Sequence, residues 1–233
     1  MGIIAAASST TIEEFNYCEN LSLQAKADGA APLLLCFAVH PQFMNEKLSA
    51  GGEELEFLKI LASEGRIAAI GETGFDLYNA AFRETEKWQE TMFAEHLAVA
   101  LRHDLPLVIH ARRAMHKIFA FSAGLKKCRA VIFHSWQGTA GEGESLLKRG
   151  INAFFSFGTT IMLNHRQVMH CCAAFPAERL LTETDAPFQP LRGREFSAYT
   201  DLADILKAME SLRGEPGMEK TIERNFLAAF GKT

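Results

Sequence analysis

Seven short apolar runs alternate with longer amphipathic segments along the 233 residues of this chain. The runs are almost continuously apolar, which is typical of strands in a parallel sheet that helices cover on both faces. We interpret as strands Ile3–Ala7, Leu33–Val39, Ile67–Ile70, Leu107–Ile109, Ala130–Phe133, Ala153–Phe157 and Leu180–Thr182. Helices are predicted over Thr11–Ala27, Glu53–Glu64, Thr85–His103, Ala114–Leu125, Glu142–Arg149, His165–Phe175, Tyr199–Leu212 and Met218–Phe230. This order leaves a doubly wound sheet and a (β/α)8 barrel open, and periodicity alone does not choose between them.

The composition excludes several classes of protein. With 48% hydrophobic and 22% charged residues, the chain has the balance of a globular protein. No apolar run approaches the roughly 20 residues of a membrane helix, and the N-terminus lacks the basic segment of a signal peptide. Five cysteines without a CxxC pair favour reduced thiols and a cytoplasmic location. Because no linker or repeat interrupts the pattern, we expect a single domain over residues 1–233.

The charge balance bears on the choice of partner. The chain carries 24 Lys and Arg residues against 28 Asp and Glu residues, a net charge of −4. A mildly acidic chain has no general attraction for nucleic acid. Binding of nucleic acid would therefore need a local basic patch or a metal ion.

Side chains of metal-binding types follow several of the predicted strands. Four of them are Glu72 after the third strand, His110 after the fourth, His134 after the fifth and Asp185 after the seventh. The carboxyl ends of parallel strands meet on one rim, so these groups are expected to lie together. Imidazole nitrogen and carboxylate oxygen suit zinc, iron or manganese. The alternative for each is an ordinary loop residue held by hydrogen bonds.

Six further histidines occur in the sequence. His40 takes the same position after the second strand, and the pattern leaves its role open. The others fall on helix patterns, which assigns them to packing or to the surface; they are His96, His103, His116, His165 and His170.

The segments that carry these residues resemble the signature blocks of the TatD-like metal-dependent hydrolases. The blocks are Ile70–Asp76 (IGETGFD), Val108–Arg112 (VIHAR), Phe133–Gly138 (FHSWQG), Thr182–Pro187 (TETDAP) and Asn225–Gly231 (NFLAAFG). His40-Pro41-Gln42 is similar to the family's His-Pro-His block, with the second His replaced. The resemblance spans essentially the whole chain. It implies an α/β fold of the TIM (β/α)8-barrel type and a divalent-metal phosphodiesterase or deoxyribonuclease activity.

One block of the family has no counterpart. The family begins with a strand that ends in His-x-His, whereas no histidine precedes His40. The resemblance therefore implies a barrel that is N-terminally short by about one βα unit, about thirty residues. Either the chain is a fragment of a two-metal enzyme or it is a naturally shortened relative. An incomplete barrel exposes unpaired strand edges, so we expect a homodimer through the exposed edge or closure by the C-terminal helices.

The resemblance also implies a role for each site residue. Glu72 matches the bridging metal ligand, His110 and His134 the imidazoles of the second site, and Asp185 the carboxylate of the first. Without His-x-His, one divalent ion (Zn, Mg or Mn) is expected rather than two.

The remaining roles concern the reaction and the substrate. Glu72 and Asp185 are the expected catalytic residues, with Asp185 available as a general base for the attacking water. Arg112 and His40 are assigned to substrate binding, since a guanidinium takes a phosphate with two parallel hydrogen bonds. The alternative for Arg112 is an ion pair with a carboxylate of the rim.

The expected function is metal-dependent hydrolysis of phosphodiester bonds, with DNA as the substrate. One alternative is a carboxylic ester or amide hydrolase of the amidohydrolase type, because the same chemistry serves that class. Another is a catalytically weakened barrel that only binds nucleic acid or a partner protein. The sequence leaves open the metal, the choice between DNA and RNA, and the exo- or endonuclease mode.

Overall fold

The computed structural model describes residues 3–31, 33–43 and 52–231 as an alternation of parallel strands and helices. The chain divides into two compact units. The first takes the described residues up to Ile118 together with Lys127–Arg129, and the second takes Phe119–Lys126 and the described residues from Ala130 onwards. The expectation of one domain stays a prediction.

The first unit contains four parallel strands in the order of the sequence. They are β1 (Ala5–Ser9), β2 (Leu33–Phe37), β3 (Ala69–Asp76) and β4 (Leu107–Arg112). The helices in this stretch of chain are α1 (Ile12–Ala27), α2 (Gly52–Glu64), α3 (Ala80–Glu84), α4 (Glu86–His103) and α5 (Met115–Ala120). A capping box at Thr11 and Glu14 starts α1, and the sequence Thr11-Ile12-Glu13-Glu14 is typical of this cap.

Aromatic side chains fill the centre of the first unit. The rings of Phe15, Phe37 and Phe57 meet edge to face, with centroids 5.3–5.8 Å apart. Phe15 comes from α1, Phe37 from β2 and Phe57 from α2, so this cluster joins two helices to the strands. Edge-to-face contacts of this kind add to the stabilisation from burial itself.

Two glycines let β3 and β4 approach closely. Gly74 has φ of +132°, and a Cβ at this position would lie 2.1 Å from the His110 carbonyl oxygen. A Cβ on Gly71 would lie 2.4 Å from the Val108 Cβ. No larger residue fits either position, so the glycines fix how the site-bearing parts of these strands lie against each other.

The second unit contains three parallel strands, again in sequence order. They are β5 (Val131–Phe133), β6 (Ala153–Phe157) and β7 (Leu180–Thr182). Its helices are α6 (Ser122–Leu125), α7 (Ala140–Lys148), α8 (Arg166–Ala174), α9 (Leu202–Arg213) and α10 (Glu219–Phe230). Its core is also aromatic, with Trp136, Phe155 and Phe175 in mutual contact.

The C-terminal helices are tied to this unit by polar side chains. The buried Asn225 amide donates hydrogen bonds to the carbonyl oxygens of Ala177 (2.7 Å) and Leu180 (2.8 Å). These contacts fix α10 against the start of β7. Arg213 donates to three carbonyl oxygens at the end of α8, which satisfies groups that the helix itself leaves unpaired; they belong to Cys172, Ala173 and Phe175.

The seven predicted strands and their alternation with helices are confirmed, and several bounds differ. The first strand begins at Ala5 rather than Ile3, and the predicted helix Ala114–Leu125 is divided into α5 and α6. The pair Gly51-Gly52 predicts a turn from the sequence; Gly51 lies outside the described residues, and α2 begins at Gly52. Among the described helices, none has both the length and the apolar character that a membrane crossing requires.

The larger difference concerns the ends of β3 and β4. Glu72 is the fourth residue of β3 and His110 the fourth of β4, so both lie inside strands and not after them. Glycine is rare inside strands, and β3 contains Gly71 and Gly74. In the structure the pairing with β4 shifts register between Ile70 and Thr73 and then runs on to Asp76, and Gly74 lies opposite His110 where a Cβ would not fit.

Candidate metal centre

Three predicted site residues come together in the first unit. His40 follows β2, Glu72 lies in β3 and His110 lies in β4, on strands that are neighbours. Each offers one ligand atom, and these atoms all lie within 4.8 Å of one another. The three side chains are largely buried, at 15–21% exposure. Two imidazoles and one carboxylate at this separation fit a divalent ion such as zinc or manganese.

Hydrogen bonding determines which nitrogen of His40 faces Glu72. The Gln42 backbone N–H donates to His40 Nδ1 at 3.2 Å, which leaves Nε2 to face Glu72. That nitrogen lies 3.5 Å from Glu72 Oε2. The rings of His40 and His110 meet edge to face with centroids 4.9 Å apart. His40 thus belongs geometrically with Glu72 and His110, and its role in substrate binding stays a prediction.

Asp76, at the end of β3, orients His110. Its Oδ2 lies 3.0 Å from His110 Nε2 and accepts a hydrogen bond of 2.6 Å from Gln42 Nε2. Its Oδ1 accepts the Tyr78 amide N–H at 2.8 Å. Burial opposes ionisation of Asp76, but the hydrogen bonds from His110, Gln42 and Tyr78 outweigh it and lower the pKa to about 2.

The ionised Asp76 determines the tautomer of His110. An ionised carboxylate only accepts hydrogen bonds, so His110 Nε2 must carry a proton and Nδ1 bears the lone pair of the neutral ring. This is the usual arrangement around a metal-binding histidine, whose second nitrogen donates to a carboxylate. Sequence reasoning missed Asp76, because the predicted third strand ended at Ile70 and left Asp76 outside it.

The backbone of Asp76 is fixed as well. The Asp76 amide N–H donates to Gln89 Oε1 at 2.8 Å, and Gln89 Nε2 donates to the Asp76 carbonyl at 3.0 Å. Gln89 is fully buried in α4. Helix α4 therefore fixes, through Gln89, the position of Asp76, which in turn orients His110.

His96 joins the two segments that carry His40 and Glu72. Its Nε2 accepts the Val39 amide N–H at 3.2 Å, and its Nδ1 lies 2.8 Å from Thr73 Oγ1. The neutral ring therefore carries its proton on Nδ1 and donates it to Thr73. Burial lowers the pKa of His96 to about 3, so the ring is neutral at pH 7. The sequence assigned this histidine to packing or the surface and gave no sign of these two contacts.

The second unit holds the other two predicted ligands. His134 follows β5, and its Nδ1 lies 3.5 Å from Glu183 Oε1. Asp185, after β7, accepts a hydrogen bond from Gln189 Nε2 at 2.5 Å. The same Gln189 nitrogen donates to Ser135 Oγ at 2.8 Å, so one amide connects the residue after His134 with Asp185. Sequence reasoning missed both Glu183 and Gln189.

The backbone near these ligands is unusual. Ser135, Asp185 and Gln189 have φ of 44°, 53° and 54°, in the left-handed region that residues with a side chain seldom adopt. Such conformations cluster at functional sites, where surrounding contacts maintain them. The Ser135–Gln189–Asp185 hydrogen bonds supply contacts of this kind.

Arg112 lies two residues beyond His110 on β4. Its guanidinium carbon is 3.7 Å from the centre of the Tyr78 ring. Among the described residues, no carboxylate forms an ion pair with Arg112, so the alternative of an ion pair with a rim carboxylate gains no support there. Its role in substrate binding stays a prediction.

Fold and site together define a class of protein. Parallel α/β strands that present imidazole and carboxylate groups to one another are characteristic of metal-dependent hydrolases built on a TIM-type barrel. The crystal structure of YjjV, a TatD homologue from Escherichia coli K12, has this fold. It matches 100% of this chain and 87% of its own with a TM-score of 0.82, at 24% sequence identity. The predicted barrel type is thereby confirmed.

Sequence comparison identifies the family. The model of the TatD related DNase family matches residues 3–231, and the chain belongs to this family. A metal-dependent hydrolase of uncharacterized function from Buchnera aphidicola is 30% identical over 193 residues, covering 80% of this chain and 68% of its own length. The 3'-5' ssDNA/RNA exonuclease TatD of Klebsiella pneumoniae is 32% identical over 189 residues, covering 76% of this chain and 70% of its own.

Replacing Asp76 by Asn tests whether this carboxylate orients a metal ligand. We expect Asp76→Asn to weaken binding of Zn²⁺ or Mn²⁺ by about 10–100-fold, because the charged acceptor of His110 is lost. Isothermal titration of chelator-treated protein measures the affinity. Asp204→Asn, an exposed carboxyl on α9, is the matched control and should bind as the unmodified protein does. Equal affinity in folded Asp76→Asn would contradict the assignment.

The buried imidazole of His96 predicts a pH dependence of stability. In the unfolded chain its pKa is near 6.5, whereas in the folded protein it is about 3, so only the unfolded state takes up the proton between these values. Stability is therefore lost as the pH falls below about 6.5. Between pH 7 and pH 5 the unmodified protein should lose about 2 kcal/mol more than His96→Gln, which has no titrating group.

Urea unfolding at the two pH values measures this difference. His116→Gln, an exposed histidine, serves as the control and should follow the unmodified protein. Parallel pH profiles for His96→Gln and the unmodified protein would show that His96 is not held neutral.

Proposed function

We propose that this chain is a divalent-metal-dependent phosphodiesterase that shortens single-stranded DNA. The observation that carries the proposal is the group of His40, Glu72 and His110 in one ligand cluster, with Asp76 behind His110. Its relative TatD of Klebsiella pneumoniae is named a 3'-5' ssDNA/RNA exonuclease, which supports a nucleic-acid substrate and release of nucleotides from the 3' end.

The proposed ligands are Glu72 and His110. The resemblance to the family adds His134 as a further ligand. One bound ion per chain is the expected stoichiometry. When bound, a divalent ion polarises a phosphoryl oxygen and lowers the pKa of a water molecule.

The side chains of this protein supply the remaining steps. As a general base, Asp185 accepts a proton from the water whose oxygen attacks phosphorus, and Gln189 holds its carboxylate through the 2.5 Å hydrogen bond. The P–O bond to the leaving oxygen breaks as the new bond forms, and the proton held by Asp185 passes to that oxygen. Arg112 binds a non-bridging oxygen of the phosphate with its planar donors. Asp76 keeps the proton of His110 on Nε2, so this imidazole remains a neutral ligand.

Cleavage of labelled oligonucleotides tests the proposal. We expect a single-stranded DNA of 20 nucleotides to be shortened from the 3' end in the presence of Mg²⁺, Mn²⁺ or Zn²⁺. Glu72→Gln should lower kcat by at least about 100-fold, because loss of a mere supporting partner already costs 10–100-fold. Glu95→Gln, an exposed glutamate of α4, is the matched control and should cleave normally.

Two outcomes would replace the proposed function. Turnover of acyl esters without turnover of DNA or of bis-p-nitrophenyl phosphate would favour the ester or amide hydrolase. If the protein binds the oligonucleotide but does not cleave it in the presence of Mg²⁺, Mn²⁺ or Zn²⁺, and Glu72→Gln binds equally well, the barrel only binds nucleic acid.

A further inference from the structure

Three arginines converge on Tyr78 in the loop after β3. The guanidinium carbons of Arg112 and Arg113 lie 3.7 and 4.7 Å from the centre of the Tyr78 ring. Arg83 and Arg113 each donate a hydrogen bond to the Tyr78 carbonyl oxygen, at 3.4 and 3.3 Å. We call these four residues the Tyr78 cluster.

The cluster carries positive charge that the described protein does not neutralise. Among the described residues, no carboxylate lies within ion-pair distance of Arg83, Arg112 or Arg113. Other arginines of the chain are paired, for example Arg66 with Glu19 at 2.6 Å and Arg213 with Glu215 at 3.0 Å. An unpaired group of three guanidinium ions in a chain of net charge −4 is a local site of anion attraction.

The hydrogen-bond donors of the cluster remain available to a ligand. Arg112 is half-buried, and among the described residues its guanidinium has a ring contact but no hydrogen-bond acceptor. Arg83 and Arg113 are exposed and use only Nη1, on carbonyl oxygens. A guanidinium stacked on an aromatic ring keeps its planar edge free for two parallel hydrogen bonds to a phosphate.

The cluster is connected directly to the candidate metal centre. The Tyr78 backbone N–H donates a hydrogen bond to Asp76 Oδ1, and His110 Nε2 donates one to Asp76 Oδ2. Arg112 is two residues beyond His110 on β4, and residues at this spacing point to the same face of a strand. Their backbone positions are about 7 Å apart, from the rise of a strand. The Tyr78 cluster thus begins at Arg112, two residues along β4 from the proposed ligand His110.

We propose that the Tyr78 cluster binds the backbone phosphates of single-stranded nucleic acid beside the phosphodiester that is cleaved. This inference rests on the proposed function and extends it, because it assigns a second binding site for the strand. The ring of Tyr78 holds the guanidinium planes in place, and Arg113 and Arg83 contact phosphates beyond the one at Arg112. Contacts to phosphate carry no sequence information, so binding is expected to be sequence-independent.

The dependence of binding on salt tests the proposal without turnover. Fluorescence anisotropy of a labelled dT20 strand is measured with EDTA present, between 50 and 200 mM NaCl. For single strands, each phosphate contact contributes about 0.7 to the slope of log affinity against log salt. Arg113→Ala should therefore reduce that slope by about 0.7, and Arg83→Ala/Arg113→Ala by about 1.4.

Three further variants separate charge, orientation and general surface effects. Tyr78→Leu should weaken binding several-fold without changing the slope, since it removes no charge. Arg113→Lys should restore the slope, because it restores the charge. Arg102→Ala, an exposed arginine of α4, is the matched control and should leave both affinity and slope unchanged.

The outcomes distinguish this inference from the proposed function. If the protein cleaves DNA but Arg113→Ala and Arg102→Ala give the same affinity and slope, the Tyr78 cluster is not a strand-binding site and the function stands. If arginine-dependent binding is found without cleavage by any ion, the cluster stands and the nuclease function does not. If dTMP binds as tightly as dT20, the cluster takes a single phosphate, which overturns strand binding.

Discussion

The carboxylate of Asp76 lies in the interior of the first unit and accepts hydrogen bonds from His110, Gln42 and the Tyr78 backbone N–H. A buried charge is tolerated only when such bonds replace its hydration, so these partners are held in place as a group. Through His110 the carboxylate acts on the candidate metal centre, and through Tyr78 it acts on the arginine cluster. Gln89 fixes its backbone from α4. A single buried charge thus connects the ligand geometry with the surface that is proposed to bind the strand.

In each unit, side-chain hydrogen bonds hold a predicted ligand in place. In the first, a carboxylate receives the imidazole of His110; in the second, the amide of Gln189 holds both Ser135 and Asp185. Each set of hydrogen bonds fixes a side chain that would otherwise rotate. Ligands and bases held in advance lower the free energy needed to reach the reactive geometry. In the proposed function, the bound ion and the Tyr78 cluster supply the positive charge with which a chain of net charge −4 attracts a polyanion.

Local patterns were sufficient for the order of the strands, for the capping box at Thr11 and for the family blocks. They failed where a contact joins distant parts of the chain. His110 and Asp76 are 34 residues apart, Val39 and His96 are 57 apart, and Gln189 and Ser135 are 54 apart. No periodicity encodes such pairs, so the residues that support the ligands became visible only in the structure. The predicted ends of β3 and β4 were too early, at Ile70 and Ile109, whereas the strands run to Asp76 and Arg112. Their close approach depends on Gly71 and Gly74, where a Cβ would collide with β4.

The metal content of the protein decides whether His110 is a ligand held by Asp76. Protein purified and dialysed with a limited excess of Zn²⁺ or Mn²⁺ is analysed for metal and for its fold by circular dichroism, beside His110→Ala and His116→Ala. His116 is an exposed histidine of α5 and provides the matched control. We expect one tightly bound equivalent in the unmodified protein and in His116→Ala, and none in His110→Ala. A folded His110→Ala that retains its metal would contradict this expectation.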